Sequence, residues 1–306
     1  PQPIHLLRTA EDGSWQFIPH VNDFKVELDK VALRRTFVVD PTTVVPIGLF
    51  VEGERYKLFG VIPWDRHLIG PLDKSKPMYL VGADRLGRDV LSRTIHGARI
   101  SMTIGLVGVG LSLVLGVLLG GISGYFGGIV DSAIQRTIEI IRSVPHIPLW
   151  MGLAAAIPLS WPPLMVYFMI TVILSLVGWT TVARIVRGKF LSLRNEDFVL
   201  SARLDGASQI RVIMVHMVPS FISYIIAALT LAIPSMILSE TALSFLGLGL
   251  QPPLVSWGVL LKEAQNIRAV ATAPWLFFPG GAVIVAVLAF SFLGDGLRDA
   301  SDPYQQ

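Results

Sequence analysis

The 306-residue sequence predicts an all-α polytopic membrane protein, a helix bundle with five spans here and a sixth upstream, carrying a small β-rich extracytoplasmic N-terminal insert. Three observations predict it. Only 15% of the residues are charged and the mean hydropathy is +0.62, values far from those of soluble globular chains. The charge is segregated as well: residues 1 to 99 hold 26 of the 47 Asp, Glu, Lys and Arg residues, and the other 207 residues hold 21. In that second part, uncharged apolar runs recur at the ~20-residue length that a bilayer core ~30 Å thick demands.

The first span runs from Ile100 to Gly128 and the second from Ile138 to Ile157, the latter opened by a helical stretch carrying Asp131, Arg136, Glu139 and Arg142. A turn through Pro158, Trp161, Pro162 and Pro163 leads to the third, Leu164 to Ala183; an interfacial Trp among prolines suits a short hairpin at the membrane surface. The fourth span is Phe221 to Phe245 and the fifth Trp275 to Gly294. Orientation follows from the loop after span three, where Arg184, Arg187, Lys189, Arg194, Arg203 and Arg211 place residues 184 to 220 in the cytoplasm. Alternation then puts the tail, 295 to 306, inside and residues 1 to 99 outside. Arg85, Arg88, Arg93 and Arg99 run against this assignment, but long translocated segments largely escape the charge rule. Nothing near the start resembles a signal peptide, so an outer N-terminal region leads to the expectation of one further span upstream.

Within the outer region, residues 1 to 77 form the insert. Thr36 to Val39, Val44-Val45, Ile47 to Val51 and Tyr56 to Phe59 are rich in β-branched and aromatic residues between Pro41, Pro46, Gly53 and Gly60, and read as short strands. Residues 78 to 99 lead into the bundle. From 84 onward Leu86, Val90, Leu91, Ile95 and Ala98 recur at helical spacing opposite Arg85, Arg88, Ser92, His96 and Arg99, predicting an amphipathic helix that lies at the interface or against the bundle, or docks an outer partner.

Composition excludes several functions. There is no cysteine, which removes disulfides, thiolate catalysis and Cys-based metal centres. The six histidines never stand at metal-ligand spacing, and no Ser/His/Asp set assembles. A net charge of +3 without a Lys/Arg block argues against nucleic acid as a partner. Gly116, Gly120, Gly124 and Gly128, spaced by four on span one, read as a packing stripe that lets another helix approach, or as pore lining. Glu240 is the one acid in a long apolar stretch; a carboxylate in lipid costs ~3 kcal/mol or more, so it is either a pathway group or a structural hydrogen-bonding group within the bundle or to the loop bearing Trp257. Asp295, Arg298, Asp299 and Asp302 in the tail read as capping and solvating charges, or as contacts to a cytoplasmic partner.

The segment from Glu196 to Pro219 reads as a short amphipathic helix, a bend at Gly206, and a second short helix ending before Pro219. Its spacing Ala202-x3-Gly206-x12-Pro219 resembles the EAA loop of binding-protein-dependent ABC importer permeases. Gly82 to Arg93, Gly97 to Ser101, Gly124 to Gly128, Glu240 to Gly249, Ser256 to Gly258 and Gly294 to Asp299 resemble the C-type permease subunit of dipeptide and oligopeptide importers. The likeness covers residues 78 to 303 and departs at Leu200, where the general motif has Glu, and at His216, where it has Ile.

The resemblance implies an ABC importer permease bundle that takes up peptides or similar solutes such as oligosaccharides. Its partners would be a homologous second permease, two ABC ATPase subunits and an extracytoplasmic solute-binding protein, in a bacterial or archaeal cytoplasmic membrane. Phe198, Ser201, Ala202, Gly206 and Ala207 would make or permit the ATPase contact. ATP and Mg would belong to the ATPases, and this chain would hold no cofactor: its Gly188-Lys189 pair lacks the glycines of a phosphate-cradling loop. Two rivals, a secondary transporter and an intramembrane enzyme, would need matched intramembrane acids or a nucleophile with its base, and neither pattern is present.

Overall fold

The computed structural model describes residues 1–9, 15–29, 34–58, 61–158, 160–266 and 271–300. The chain divides into two compact units, Pro1–Arg93 with Ala273–Phe278, and Thr94–Thr272 with Pro279 onward. In the first unit β1 (His5–Thr9), β2 (Trp15–Asp29), β3 (Arg34–Leu58) and β4 (Ile62–Pro71) form an antiparallel sheet in the order β1-β2-β3-β4. β3 is shared. Its first half pairs with β2, with Val26 opposite Phe37, and its second half with β4, with Leu49 opposite Ile69.

The short strands expected between prolines are therefore long ones. Pro41 is absorbed at a register shift, where Asn22 pairs with Val44 and Asp23 with Asp40, so that residues 41–43 bulge. The Asp40 carboxylate holds the bulge, accepting from Thr42 N at 3.0 Å, Thr42 Oγ1 at 2.6 Å and Thr43 Oγ1 at 2.8 Å, and pairing with Lys25 at 2.9 Å. Gln2, almost fully buried, donates to Asn22 O at 2.8 Å and accepts from Tyr79 N at 2.6 Å, which ties the strand start to the segment after the sheet. Phe59 and Gly60 lie outside the described residues.

The amphipathic helix expected over 84–99 begins later, at Val90. Asp84 is buried and accepts from Leu86 N at 2.8 Å, Arg88 N at 2.9 Å and Arg88 Nε at 2.7 Å, and pairs with Arg93, folding 84–89 into a loop whose turn at Gly87 has φ +74°. Asp89 then accepts from Ser92 N at 2.7 Å, as a helix-initiating side chain does. α1 (Val90–Phe126) runs 37 residues without a break, about 55 Å at 1.5 Å per residue.

α2 (Gly128–Ser143), α3 (His146–Ala155), α4 (Pro163–Leu193), α5 (Asp197–Leu204), α6 (Gln209–Arg211), α7 (Ile222–Phe245), α8 (Trp257–Lys262) and α9 (Phe278–Ala300) follow. Among the described residues four helical segments are long and apolar enough to cross a membrane: Val90–Phe126, Pro163–Leu193, Gln209–Phe245 and Pro274–Ala300. That corrects the count of five, and the total of six built on it does not follow. The expected span Ile138–Ile157 is broken at Val144, extended at φ −92°, ψ 133° ahead of Pro145. Proline removes a helical donor and bars its predecessor from the α region. The ten residues of α3 reach only about 15 Å. α4 runs ten residues past its expected end at Ala183, because Arg184 to Leu193 contain charge but no helix breaker beyond Gly188. Asp302 and the rest of 301–306 lie outside the described residues, as does Arg268.

α1 packs on two partners in turn. Near its middle, Cβ atoms added at Gly105 and Gly108 would meet Ile237 and Met236 of α7 at 2.9 and 3.2 Å. Farther on, Gly116, Gly120 and Gly124 lie against α4, where added Cβ atoms would come within 2.6 Å of Val182 Cγ1, 2.8 Å of Ala183 Cα and 2.6 Å of Phe190 Cβ. Removing side chains lets the backbones approach, and hydroxyls then bond across them: Ser175 Oγ donates to Gly108 O at 3.0 Å. Gly128 departs from the stripe. Helix α1 ends at Phe126, Gly127 and Gly128 take φ +68° and +57°, and nothing lies within 4 Å of a Cβ at Gly128; it is a turn residue opening α2, in a backbone region open to glycine.

Two outcomes are expected. Gly120→Val drives a branched side chain into the Ala183 backbone and lowers stability by about 1–3 kcal/mol, read as an earlier thermal transition of the detergent-solubilised chain, with Gly281→Val, in open space, as the control. In the insert, hydrogen bonding from Lys76 depresses the Asp23 carboxyl and hydrogen bonding from Thr42, then Lys25 and Thr43, depresses that of Asp40. A depressed carboxylate stabilises above its unfolded pKa of about 3.9 and loses that contribution as pH falls through the folded value. Amide exchange of β2 and β3, corrected for intrinsic rates, is expected to be flat from neutral pH down to about 4 and to rise below it.

Candidate functional site

Two polar features stand out within the second unit. At one end of the helices, α5 is an eight-residue helix closed by a left-handed cap. Gly206 sits at φ +79°, a conformation that costs other L-residues about 1–2 kcal/mol. Its N–H donates to Arg203 O at 3.1 Å, and Ala207 N donates to Ala202 O at 3.0 Å. Ser208 then caps the next helical stretch, accepting from Arg211 N at 3.4 Å. The second helix does not stop before Pro219 as expected. It passes through a π turn, Val212–Met217, and a 3-10 turn, Pro219–Phe221, into α7. Pro219 is tolerated at the first position of its turn, where no donor is needed.

The inner face of this segment has its own core: Val199, Ala202, Val212, Met217 and Phe221 with Val186 and Phe190 of α4 and Ile225 of α7. Phe190 and Phe221 meet edge to face at 5.8 Å between centroids. Of the five loop positions singled out from sequence, Phe198, Ser201 and Gly206 are exposed, Ala207 is half-buried, and Ala202 is buried in that core. Ala202 thus fixes the loop's shape and has no outer surface to offer. Leu204, 88% exposed, and Ile210, 75% exposed, stand on either side of the Gly206 bend and were not singled out from sequence. Two apolar side chains flanking the Gly206 bend were the available signal.

At Glu240, fully buried in α7, Ser101 Oγ of α1 donates to Oε2 at 3.1 Å and Ser244 Oγ to Oε1 at 2.8 Å. Each hydroxyl accepts a backbone N–H in turn, Ser101 from Trp257 at 3.1 Å and Ser244 from Leu250 at 3.0 Å. An acceptor at the centre makes both serines donate inward and leaves their lone pairs to hold the 246–257 loop. Trp257 Nε1 adds a bond to Thr94 O at 2.9 Å. Close backbone approach completes the node: Cβ atoms at Gly249 and Gly258 would lie 2.6 Å from Ser244 N and 2.7 Å from Thr241 O. Sequence reasoning marked Glu240 but not Ser101 or Ser244, which lie 139 and 4 residues away from it. Among the described residues no three His, Cys, Asp or Glu side chains group as metal ligands.

Residues 116–305 match the family model described as binding-protein-dependent transport system inner membrane component. The oligopeptide transport system permease protein OppC of Bacillus subtilis (strain 168) is 40% identical over 223 residues, 72% of this chain and 70% of that one. The dipeptide transport system permease protein DppC of the same organism is 39% identical over 224 residues, 72% and 68% of the two chains. A solved inward-facing conformation of the MetNI methionine ABC transporter aligns with TM-score 0.55 at 17% identity, over 69% of this chain and 96% of that one, a likeness of fold. The helices described above are thus an ABC-importer permease bundle with four membrane-crossing segments and an N-terminal β-sheet insert. With the match spanning well over half its length, the chain belongs to the family of inner membrane components of binding-protein-dependent transport systems, as a multi-pass, non-catalytic permease subunit.

Proposed function

We propose that this chain is one of two permease subunits of an ATP-driven importer of peptides or similar solutes such as oligosaccharides. It pairs with a homologous permease around a central pathway, stands on two ABC ATPases, and receives its cargo from an extracytoplasmic solute-binding protein. The cargo class rests on the names of the Bacillus subtilis relatives, which transport oligopeptides and dipeptides. In this reading residues 184–220 face the cytoplasm and residues 1–99 the outside, and ATP and Mg are held by the ATPases.

The observation that carries the reading is the two-sided construction of the 197–221 segment. Its inner face is fixed in a core shared with α4 and α7, while Leu204 and Ile210 stand largely in solvent and Phe198 is partly exposed. A rigid segment of that kind fits a groove on a partner, and a partner that changes shape on binding or hydrolysing nucleotide can shift the helices only through a segment that does not yield. Ser201 and Gly206, small and exposed, keep the approach to it open. The sides of the bundle support a second permease. At most 44% of any spanning window is buried within this chain, and only 22% for Pro274–Ala300, which leaves broad apolar faces for lipid and a neighbouring subunit.

Leu204→Glu tests the coupling. The site is exposed, so the bundle should fold normally; the lost apolar contact is worth about 1.5–3 kcal/mol, about tenfold or more in ATPase docking. The expected result is a complex that still captures cargo on its binding protein and retains the second permease, but recovers little ATPase on purification and transports poorly. Peptide uptake at the normal rate by the Leu204→Glu complex would overturn the coupling role. ATP-independent uptake by the unmodified complex would overturn the importer reading.

A further inference from the structure

The α1–α2 corner is tied by an ion pair to the end of α4 that leads into the coupling segment, 197–221. Asp131, in the first turn of α2, receives Arg187 of α4 in a bidentate arrangement, Nε to Oδ1 at 2.5 Å and Nη2 to Oδ2 at 2.6 Å. The pair is mostly sheltered, with side chains 17% and 30% exposed. Ser123 of α1, fully buried, donates to Asp131 Oδ1 at 2.5 Å, and Gln135 donates to Ser123 Oγ at 3.1 Å. Three helices therefore converge on one carboxylate. One turn beyond Arg187 on α4, Phe190 enters the core of the coupling segment. Gly124 brings α1 so close that an added Cβ would lie 2.8 Å from Arg187 O. Arg203 of α5 lies over the Tyr125 ring at 4.9 Å, a contact between α1 and the coupling segment itself.

We propose that the Asp131–Arg187 pair is a strut that binds the α1–α2 corner to the end of α4 on which the coupling segment is packed, so that both move as one body when the ATPases close. The proposal rests on the importer reading above. The chemistry suits a strut: a bidentate guanidinium–carboxylate pair fixes direction as well as distance, and breaking one partner of a sheltered pair leaves the other uncompensated. The strut also persists across the physiological range, since hydrogen bonding from Arg187, aided by Ser123, holds the Asp131 carboxyl below the usual carboxylate range. It would carry displacement from the α5 end of α4 to the α1–α2 corner, beyond the stretch where the glycine stripe and the Ser175–Gly108 hydrogen bond already hold α4 on α1.

The test uses the complete transporter in proteoliposomes, with solute transported and ATP hydrolysed measured together. Asp131→Asn and Arg187→Gln are expected to assemble and hydrolyse ATP while solute moved per ATP falls about tenfold, a typical coupling magnitude. The exchange Asp131→Arg with Arg187→Asp is expected to restore much of that ratio. Because the chain has no cysteine, Asp131→Cys with Arg187→Cys gives a unique thiol pair on it. Before bridging it should behave like the single variants, and a short bis-maleimide bridge should raise transport per ATP in the same protein sample, which removes folding as an explanation. Single variants with the normal ratio, or a bridged pair no better than the unbridged one, would overturn the strut. A wild-type complex in which hydrolysis drives no transport would instead overturn the importer reading.

Discussion

Backbone contact between α1 and α4 is the constraint on which the rest of the bundle depends. Lipid supplies no hydrophobic drive to bring two apolar helices together, so they must gain by approach. Gly116, Gly120 and Gly124 give α4 room to lie directly on α1, and once it does, other features become possible. Ser175 can reach the Gly108 carbonyl, Phe190 can enter the core beside α5, and Arg187 comes within range of Asp131. Side chains even one methyl larger at the stripe would separate these pairs together.

The polar groups are distributed with the same economy. Within the bundle, Glu240 and Asp131 are sheltered carboxylates that each join segments distant in sequence. Glu240 faces serines whose oxygens hold a loop's backbone, while Asp131 faces a guanidinium. The difference follows from what each must satisfy. Around Glu240 the partners are neutral hydroxyls in the interior of the bundle, which in turn accept from backbone amides. Asp131 lies at a helix end, where a cation can retain part of its hydration.

How far the sequence reveals this structure depends on the range of the interaction. Composition and apolar run length pointed to the spans from Ile100, Leu164, Phe221 and Trp275 onward, which fall on the helices Val90–Phe126, Pro163–Leu193, Gln209–Phe245 and Pro274–Ala300, because burial in lipid is a property of each segment alone. The same measure failed at Ile138–Ile157, where hydropathy was high enough but Pro145 stops the helix, a local rule that outranks run length. Helical spacing, in turn, failed at Asp84, whose side chain captured the amides of Leu86 and Arg88 and pre-empted a helix. The bend at Gly206 was legible from a glycine between two helical patterns. The pairing of Asp131 with Arg187 across 56 residues, or of Ser101 with Glu240, was not, because nothing in a linear pattern says which charged or hydroxyl residues will meet. That Ala202 faces inward while Leu204 faces out likewise depends on how α5 is rolled against α4.

The polypeptide from Gln209 to Phe245 is helical throughout but not uniform. Its π and 3-10 turns fall together over Val212–Phe221, and Phe221 departs to φ −133°. Val212, Met217 and Phe221 nevertheless sit in the core shared with α4, so these wide and tight turns are clamped by packing. α7 then continues from Ile222 to Phe245 with Pro234 inside it, where a proline ring leaves a carbonyl of the preceding turn without its helical donor. A push at the loop end is therefore passed on along a braced column, and the weakened rung lies at Pro234, between the base and Glu240.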